Sequence, residues 1–351
     1  MSAPPDEAPA RPRPTMHDVA ALAGVSLKTV SRVVNREDGV SGDLAARVQR
    51  AALQLDYHPN LTASSLRRTG GKTATIGLLL EDVANPFSSA LHRAIEDAAR
   101  RRGVAVFAAS LDEDPDRERQ LVTAFVSRRV DGLIVMPAGP DQSYLVNQRR
   151  AGLAVVFIDR PPLFLDADAV VSANRDGAAD GLRHLIAGGH RRIGFLGDLT
   201  SISTARDRSL GYRDALAGTG LAVDDRLVRQ DLHSIETAEA AAREVLLLDP
   251  SIAPTALFSS QNLVTIGAIR ALRSLGRQRS VAHVGFDDVL LGDLLEPGLT
   301  VVAQDPVAVG TAAAELLFRR LDGDRSATQL RVIPTRLVRR GSGEIPPPGS
   351  G

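Results

Sequence analysis

The chain changes rhythm once, and sharply. Between residues 15 and 59, apolar residues recur every three to four positions, the period of helices that each bury one face. Val19, Leu22 and Ala23 mark such a face on a first helix. Thr15 with Asp18 three residues on gives that helix a capping-box start. Gly24 breaks it, and Val25 plugs the turn before a second helix, capped by Ser26, whose Val30, Val33 and Val34 turn inward. A third stripe, Leu44, Val48, Ala51, Ala52 and Leu55, begins at a Ser41 cap and stops at Pro59. From Thr75 onward short aliphatic runs alternate with helical stretches. Runs at 76–80, 104–108, 133–136 and 155–158 predict strands, with helices over 91–102 and 117–128. A second series places strands at 193–196, 256–258 and 281–286, and helices at 178–187, 210–216, 238–248, 264–275 and 307–321. Two successive series of this kind predict two doubly wound parallel sheets, an α/β body behind a small helical module. Ligands of such sheets sit beyond the carboxyl ends of the strands, here in a cleft between two lobes.

The ends and joints lack any such period. Residues 1–14 are rich in Pro and Ala and predict a disordered tail. Residues 341–351 predict a second, Gly/Pro-rich one. Residues 60–72 form a short polar joint between the module at 15–59 and the body at 73–340. The last tail holds no leucine heptads, which favours a dimer over a coil-tied tetramer.

Composition narrows the function. Formal charge is zero over 351 residues, so no global field draws in nucleic acid or membrane. Residues 11–72 nonetheless hold ten Lys/Arg against five Asp/Glu, a basic module on a slightly acidic body. Cysteine is absent, which removes disulfides and thiolate metal sites. No secretory core opens the chain and no apolar run reaches membrane-spanning length, so a cytoplasmic protein is expected. GxSxG, GxxxxGK[ST], HExxH and a strand-linked GxGxxG are all missing, and the seven histidines show no metal spacing. No catalytic group, metal or cofactor is therefore expected.

The second helix of the module carries the informative residues. Lys28, Thr29, Ser31, Arg32 and Asn35 are left pointing outward. Hydroxyls, an amide and two cations on one short helix suit phosphates and base edges, although an ordinary helical hairpin with a solvated face has the same pattern. The residues themselves, DVAALAGVSLKTVSRVVN, resemble the helix-turn-helix signature of the lactose/galactose repressor (LacI/GalR) family of bacterial transcription factors. The match continues through Val40-Ser41 and Tyr57-His58-Pro59-Asn60 and extends to about residue 340. The resemblance implies double-stranded DNA with a near-palindromic operator as partner. Ser26, Thr29 and Asn35 become candidates for phosphate contacts. Leu27 and Lys28 stand at the base-reading positions, with Ser31 beside them and Arg32 as a further guanine reader.

Residues 60–68, NLTASSLRR, would by themselves be a linker. The resemblance implies a hinge helix that orders on DNA and enters the minor groove as a symmetric pair. Asn60 would cap it, Ala63 would allow close approach, and Leu66 would wedge between central base pairs. Nine residues are too few to hold a helix alone in water, so a remote event can decide whether it forms.

The same resemblance implies a periplasmic-binding-protein-like sensor whose lobes exchange chain near Val171 and Thr300. Its candidate effector residues sit at strand ends or helix starts. They are Phe87 in NPF, Asp159-Arg160 after VVFI, Arg208 in RSLGY, Asp287 after VGF, and Gln304 in VAQDP. Arg206 lies close enough to be mistaken for Arg208. Gln261-Asn262 stands where relatives commonly carry Asn-Asp, so one carboxylate is lost. Ser88 follows Phe87 where purine-binding members carry a second aromatic, which argues against a purine. Planar donors and acceptors over an apolar face suit a polyol. The expectation is a homodimeric regulator, a repressor of sugar uptake or catabolism genes, controlled by a sugar-like effector. A nucleoside effector, an activator role, a solute receptor and an enzyme stand as alternatives.

Overall fold

The computed structural model describes residues 14–34, 37, 39–58 and 72–349. It divides into two units, residues 1–73 and 74–351.

In the first unit Thr15 and Asp18 form the reciprocal cap: the Asp18 carboxylate accepts from the Thr15 amide at 2.7 Å and the Asp18 amide donates back to the Thr15 hydroxyl. This starts α1 (Met16–Ala23), which Gly24 ends in the left-handed conformation at φ 62°. In α2 (Leu27–Val34) the Thr29 amide donates to Ser26 Oγ at 3.1 Å. Ser41 stands at the extended residue before α3 (Gly42–Gln54), but its side chain makes no capping bond. Arg47 of α3 instead donates to the Ala23 carbonyl at 2.7 Å, satisfying an orphan acceptor at the end of α1. Val19, Ala20, Ala23, Val30, Val48 and Ala51 make the core. Leu22, expected on the buried face, is 46% exposed. The stripe runs through 19, 20 and 23, and Leu22 falls to its side, since successive residues turn about 100°. Pro59 lies outside the described residues.

The second unit contains two six-stranded sheets. β1 (Thr75–Leu80), β2 (Ala105–Ser110), β3 (Gly132–Val135), β4 (Ala154–Ile158) and β5 (Asp168–Ser172) belong to the first, and β6 (Ile193–Leu196), β7 (Val228–Arg229), β8 (Ala256–Ser259), β9 (Ala282–Phe286) and β10 (Thr300–Ala303) to the second. β11 (Leu330–Ile333) joins the first sheet and β12 (Arg336–Val338) the second, giving orders β11-β5-β4-β3-β1-β2 and β12-β10-β9-β8-β6-β7. Pairing is parallel except between β10 and β12.

Helices cover both faces of each sheet: α4 (Pro86–Arg101), α5 (Pro115–Ser127), α6 (Val146–Arg150), α7 (Asn174–Ala187), α8 (Ser203–Ala217), α9 (Ile235–Leu246), α10 (Asn262–Ser274) and α11 (Pro306–Leu321). Several begin earlier than their apolar period because Asn85, Asp114 and Ser234 cap polar first turns. In α8, Gly211 meets α7 so closely that a Cβ there would lie 2.2 Å from the Arg175 carbonyl. Lobe exchange occurs after β5 and after β10 as expected, and a third crossing lies between β11 and β12. α11 returns to the first lobe and packs Val309, Ala313 and Leu317 against Ile76, Leu91 and Ile134.

The free tail expected over 341–351 is corrected for residues 341–349, which pack on the second lobe. Ser342 Oγ donates to the His283 carbonyl at 2.6 Å and accepts from the Thr300 amide at 2.8 Å. His190 Nε2 sits 2.9 Å from the Ile345 carbonyl. A Gly/Pro-rich composition predicts no regular element, but its polar groups complete bonds that the start of β10 leaves open.

Candidate functional sites: an exposed helix and an interlobe cleft

On α2 the side chains divide by what already holds them. Leu27 is 38% exposed, and Ser26 and Lys28 are exposed beside it. Ser26 and Thr29 hydroxyls lie 2.9 Å apart and bond to each other. Arg32 Nε is 3.8 Å from Glu37 Oε2, so that cation is steered by its own loop. Ser31 is half-buried. Asn35, Asn60, Ala63 and Leu66 lie outside the described residues.

In the second unit the strand ends converge on a cleft between the lobes. Asp159 follows β4 at φ 66° and Asp287 follows β9 at φ 70°. Each is pinned by an amide bond to the adjacent strand, Asp159 to the Val170 carbonyl and Asp287 to the Val302 carbonyl, both at 2.9 Å. Arg208, on the buried face of α8, donates from Nε to Asn174 Oδ1 and from Nη1 to the Ser260 carbonyl, both at 2.8 Å. Its guanidinium lies 4.0 Å over the Phe286 ring and 3.9 Å from Asp287 Oδ2. Arg206 faces outward and holds the Thr200 and Ser201 carbonyls, which separates the two arginines. Gln304 Nε2 donates to Asp287 Oδ1 at 2.6 Å, while its buried Oε1 has no hydrogen-bond partner among the described residues. Burial pushes the Asp287 carboxyl up, and Arg208 opposes the shift.

Other expected residues are engaged differently. Arg160 grips Glu113 through both Nη atoms, at 2.7 and 2.5 Å, and donates to the Pro137 carbonyl at 3.0 Å. Its Nε is 3.3 Å from Asp159 Oδ2 without hydrogen-bond geometry. Gln261 caps α10, its Oε1 accepting from the Leu263 and Val264 amides. Asn262 reaches across the cleft, donating to Asn85 Oδ1 at 2.9 Å. Phe87 leans half-buried onto the first sheet's core.

Sequence reasoning missed Glu81, Glu113, Asp198 and His233. His233 Nδ1 lies 2.7 Å from Asp198 Oδ1, which raises the imidazole's pKa against the opposing effect of burial. His233 Nε2 faces Glu81 Oε1 across the lobes at 3.8 Å. Burial, then the neighbouring Glu113 charge, push the Glu81 carboxyl up to about 7. A carboxylate directly after an apolar strand run, as in LLLE and FLGD, was the available signal.

A three-helix module with an outward-facing second helix, carried by a two-lobed body with buried polar groups between its lobes, defines a ligand-sensing DNA-binding regulator. Residues 15–60 match the family model of bacterial regulatory proteins of the lacI family, and residues 73–326 match that of periplasmic binding proteins and the sugar-binding domain of the LacI family. The chain belongs to the LacI family of bacterial transcriptional regulators. It is 34% identical to the transcriptional regulator GalR of Escherichia coli, over 95% of this chain and 96% of GalR. The lac repressor dimer bound to operator and the anti-inducer ONPF is 26% identical with a TM-score of 0.82, covering 95% of this chain and 99% of that one. The regulator CelR in complex with cellobiose is 31% identical with a TM-score of 0.69, covering 94% and 100%. These relatives are transcriptional regulators. No described helix is long and apolar enough to cross a membrane.

Proposed function

We propose that this regulator is a cytoplasmic, homodimeric repressor of carbohydrate uptake or catabolism genes, without catalytic activity, whose operator affinity is set by a small polar effector in the interlobe cleft. The observation that carries this reading is the Arg208–Asp287–Gln304 group, a buried cation and carboxyl beside an acceptor left open, on the body that carries the DNA module. Arg208, Asp287 and Gln304 would bind effector hydroxyls, with Asn262 and Asp159 facing them. Gln261 and Arg160 would act by holding the cleft walls, and Phe87 by closing its apolar side.

On DNA, α2 lies in the major groove, Ser26, Thr29 and Asn35 touch phosphates, and Leu27, Lys28 and Arg32 address bases, with Ser31 alongside. Asn60, Ala63 and Leu66 form a hinge whose leucine opens a central base step. The effector favours one lobe arrangement, and that arrangement favours or opposes pairing of two hinges; the coupling is reciprocal. The test is selection of genomic fragments by the purified chain at two salt concentrations. Enrichment of a near-palindrome with a pyrimidine–purine centre, lost with Leu66→Ala, is expected. Only salt-sensitive, sequence-blind binding, with or without added sugars, would refute the reading.

A further inference from the structure

The cleft holds more carboxyls than cationic groups. In the first lobe Glu81, Glu113 and Asp159 face Arg160 alone. In the second, Asp198 and Asp287 face Arg208 and the imidazole of His233. Five carboxyls thus meet three groups able to be cationic, so two carboxyls have no cation of their own, and burial pushes Glu81 and Asp287 toward the neutral form. The pairs are already formed: Arg160 is spent on Glu113, and His233 on Asp198. Glu81 is left over. Among the described residues its carboxyl makes no hydrogen bond, and its nearest cationic partner is His233 Nε2 at 3.8 Å.

The open polar atoms agree with the charge. Gln304 Oε1 is a buried acceptor awaiting a donor. Arg160 is 6% exposed, and its Nε–H, 3.3 Å from Asp159 Oδ2, has no hydrogen-bond partner among the described residues. Closing lobes over uncompensated carboxylates is costly, since buried charge must be paired or neutralised. A phosphate or carboxylate ligand would bring only acceptors and further negative charge. An ammonium brings three donors and one positive charge.

On the reading that this cleft takes the effector, we propose that the effector is a polyhydroxylated molecule bearing a protonated amine, with the amine paired to Glu81 and the hydroxyls held by Arg208, Asp287 and Gln304. Its amine would pair with Glu81 while His233 stays on Asp198. Amine binding would then require Glu81 to be ionised, so a proton is released and affinity rises with pH through neutrality. A neutral sugar enclosed in the same cleft would need the reverse, proton uptake by Glu81, and would bind better in acid.

The experiment is calorimetry of the full chain with hexosamines, the matching hexoses and their 6-phosphates, at about pH 6 and about pH 8 in buffers of different ionisation enthalpy. A hexosamine is expected to bind about tenfold tighter than its hexose at the higher pH, with proton release, and the phosphates not at all. Glu81→Gln should erase the preference for the amine while retaining hydroxyl recognition. A hexose or phosphate that binds as tightly as the amine, binding coupled to proton uptake, or silence across the panel would overturn the assignment. Arg208→Ala separates the two levels. If it abolishes whatever sugar binding exists, the cleft remains the effector site and only the amine is wrong; if it changes nothing, the effector reading falls as well.

Discussion

The two lobes repeat one strand order, and each ends its fourth-formed strand in an aspartate at positive φ whose amide is pinned to the next strand. What stands beside that aspartate differs. In the first lobe the neighbouring cation, Arg160, is closed off by a bidentate carboxylate and a carbonyl. In the second, Arg208 is positioned by neutral acceptors and an aromatic face, with Asp287 at 3.9 Å rather than in a tight pair. A guanidinium held by neutral groups keeps its charge available, whereas one in a fork-to-fork pair has spent it. The same architecture therefore gives one lobe an acidic wall whose arginine is already paired and, on the proposed reading, makes the other the clamp for the effector.

The largest expected effect comes from the clamp. Arg208→Ala should lose the effector response and cost about 3–5 kcal/mol of stability, because Asp287 and Asn174 lose a buried partner. Calorimetric binding and denaturant unfolding would measure both, and a variant that still responds would erase the distinction between the lobes. Glu113→Gln attacks the wall. It should cost about 2 kcal/mol in unfolding experiments while leaving more effector binding than Arg208→Ala does. An equal loss of binding in a folded Glu113→Gln would show that both lobes clamp.

Asn85→Ala removes the interlobe bond to Asn262 and should shift the lobes toward opening by about 1 kcal/mol. Small-angle scattering with and without ligand would detect it, and an unchanged envelope would count the bond as incidental. The smallest effect is a slope. Both His233 and Glu81 are raised in the folded chain, so the stability they contribute is present in acid and declines as pH rises, for Glu81 from its ordinary value near 4.5 through about 7, for His233 above 6.5. His233→Asn should flatten melting temperature against pH above neutrality; an unaltered slope would assign it to other groups.

Much of this was legible beforehand where the deciding contacts are local. The Thr15–Asp18 box, the Gly24 stop and the Ser26–Thr29 cap all act within four residues, and each forms. The strand–helix alternation likewise follows from local period. Five strands escaped it: the short interior strands β5 and β10, the two-residue β7, and β11 and β12, which carry Arg331 and Arg336 beside apolar neighbours because edge strands need not be apolar on both faces. Leu22 departs from the expected face because a short helix leaves period alone unable to choose which of two adjacent stripes is buried.

The cleft divides along the same line. Residue type and strand-end position pointed to Asp159, Arg160, Asp287 and Gln304, since ligands of parallel sheets gather there, and the family resemblance pointed to Arg208. Which of them are spent and which are open was decided only by folding. Arg160 meets Glu113 across 47 positions and Asn262 meets Asn85 across 177. Sequence by itself determined the helical reader, the two-sheet body and the strand ends that carry polar groups, because backbone period and capping act over a few residues. Tertiary structure decided the charge balance of the cleft, its locked and open guanidiniums and the docking of residues 341–349, because electrostatic pairing depends on distances between segments far apart along the chain.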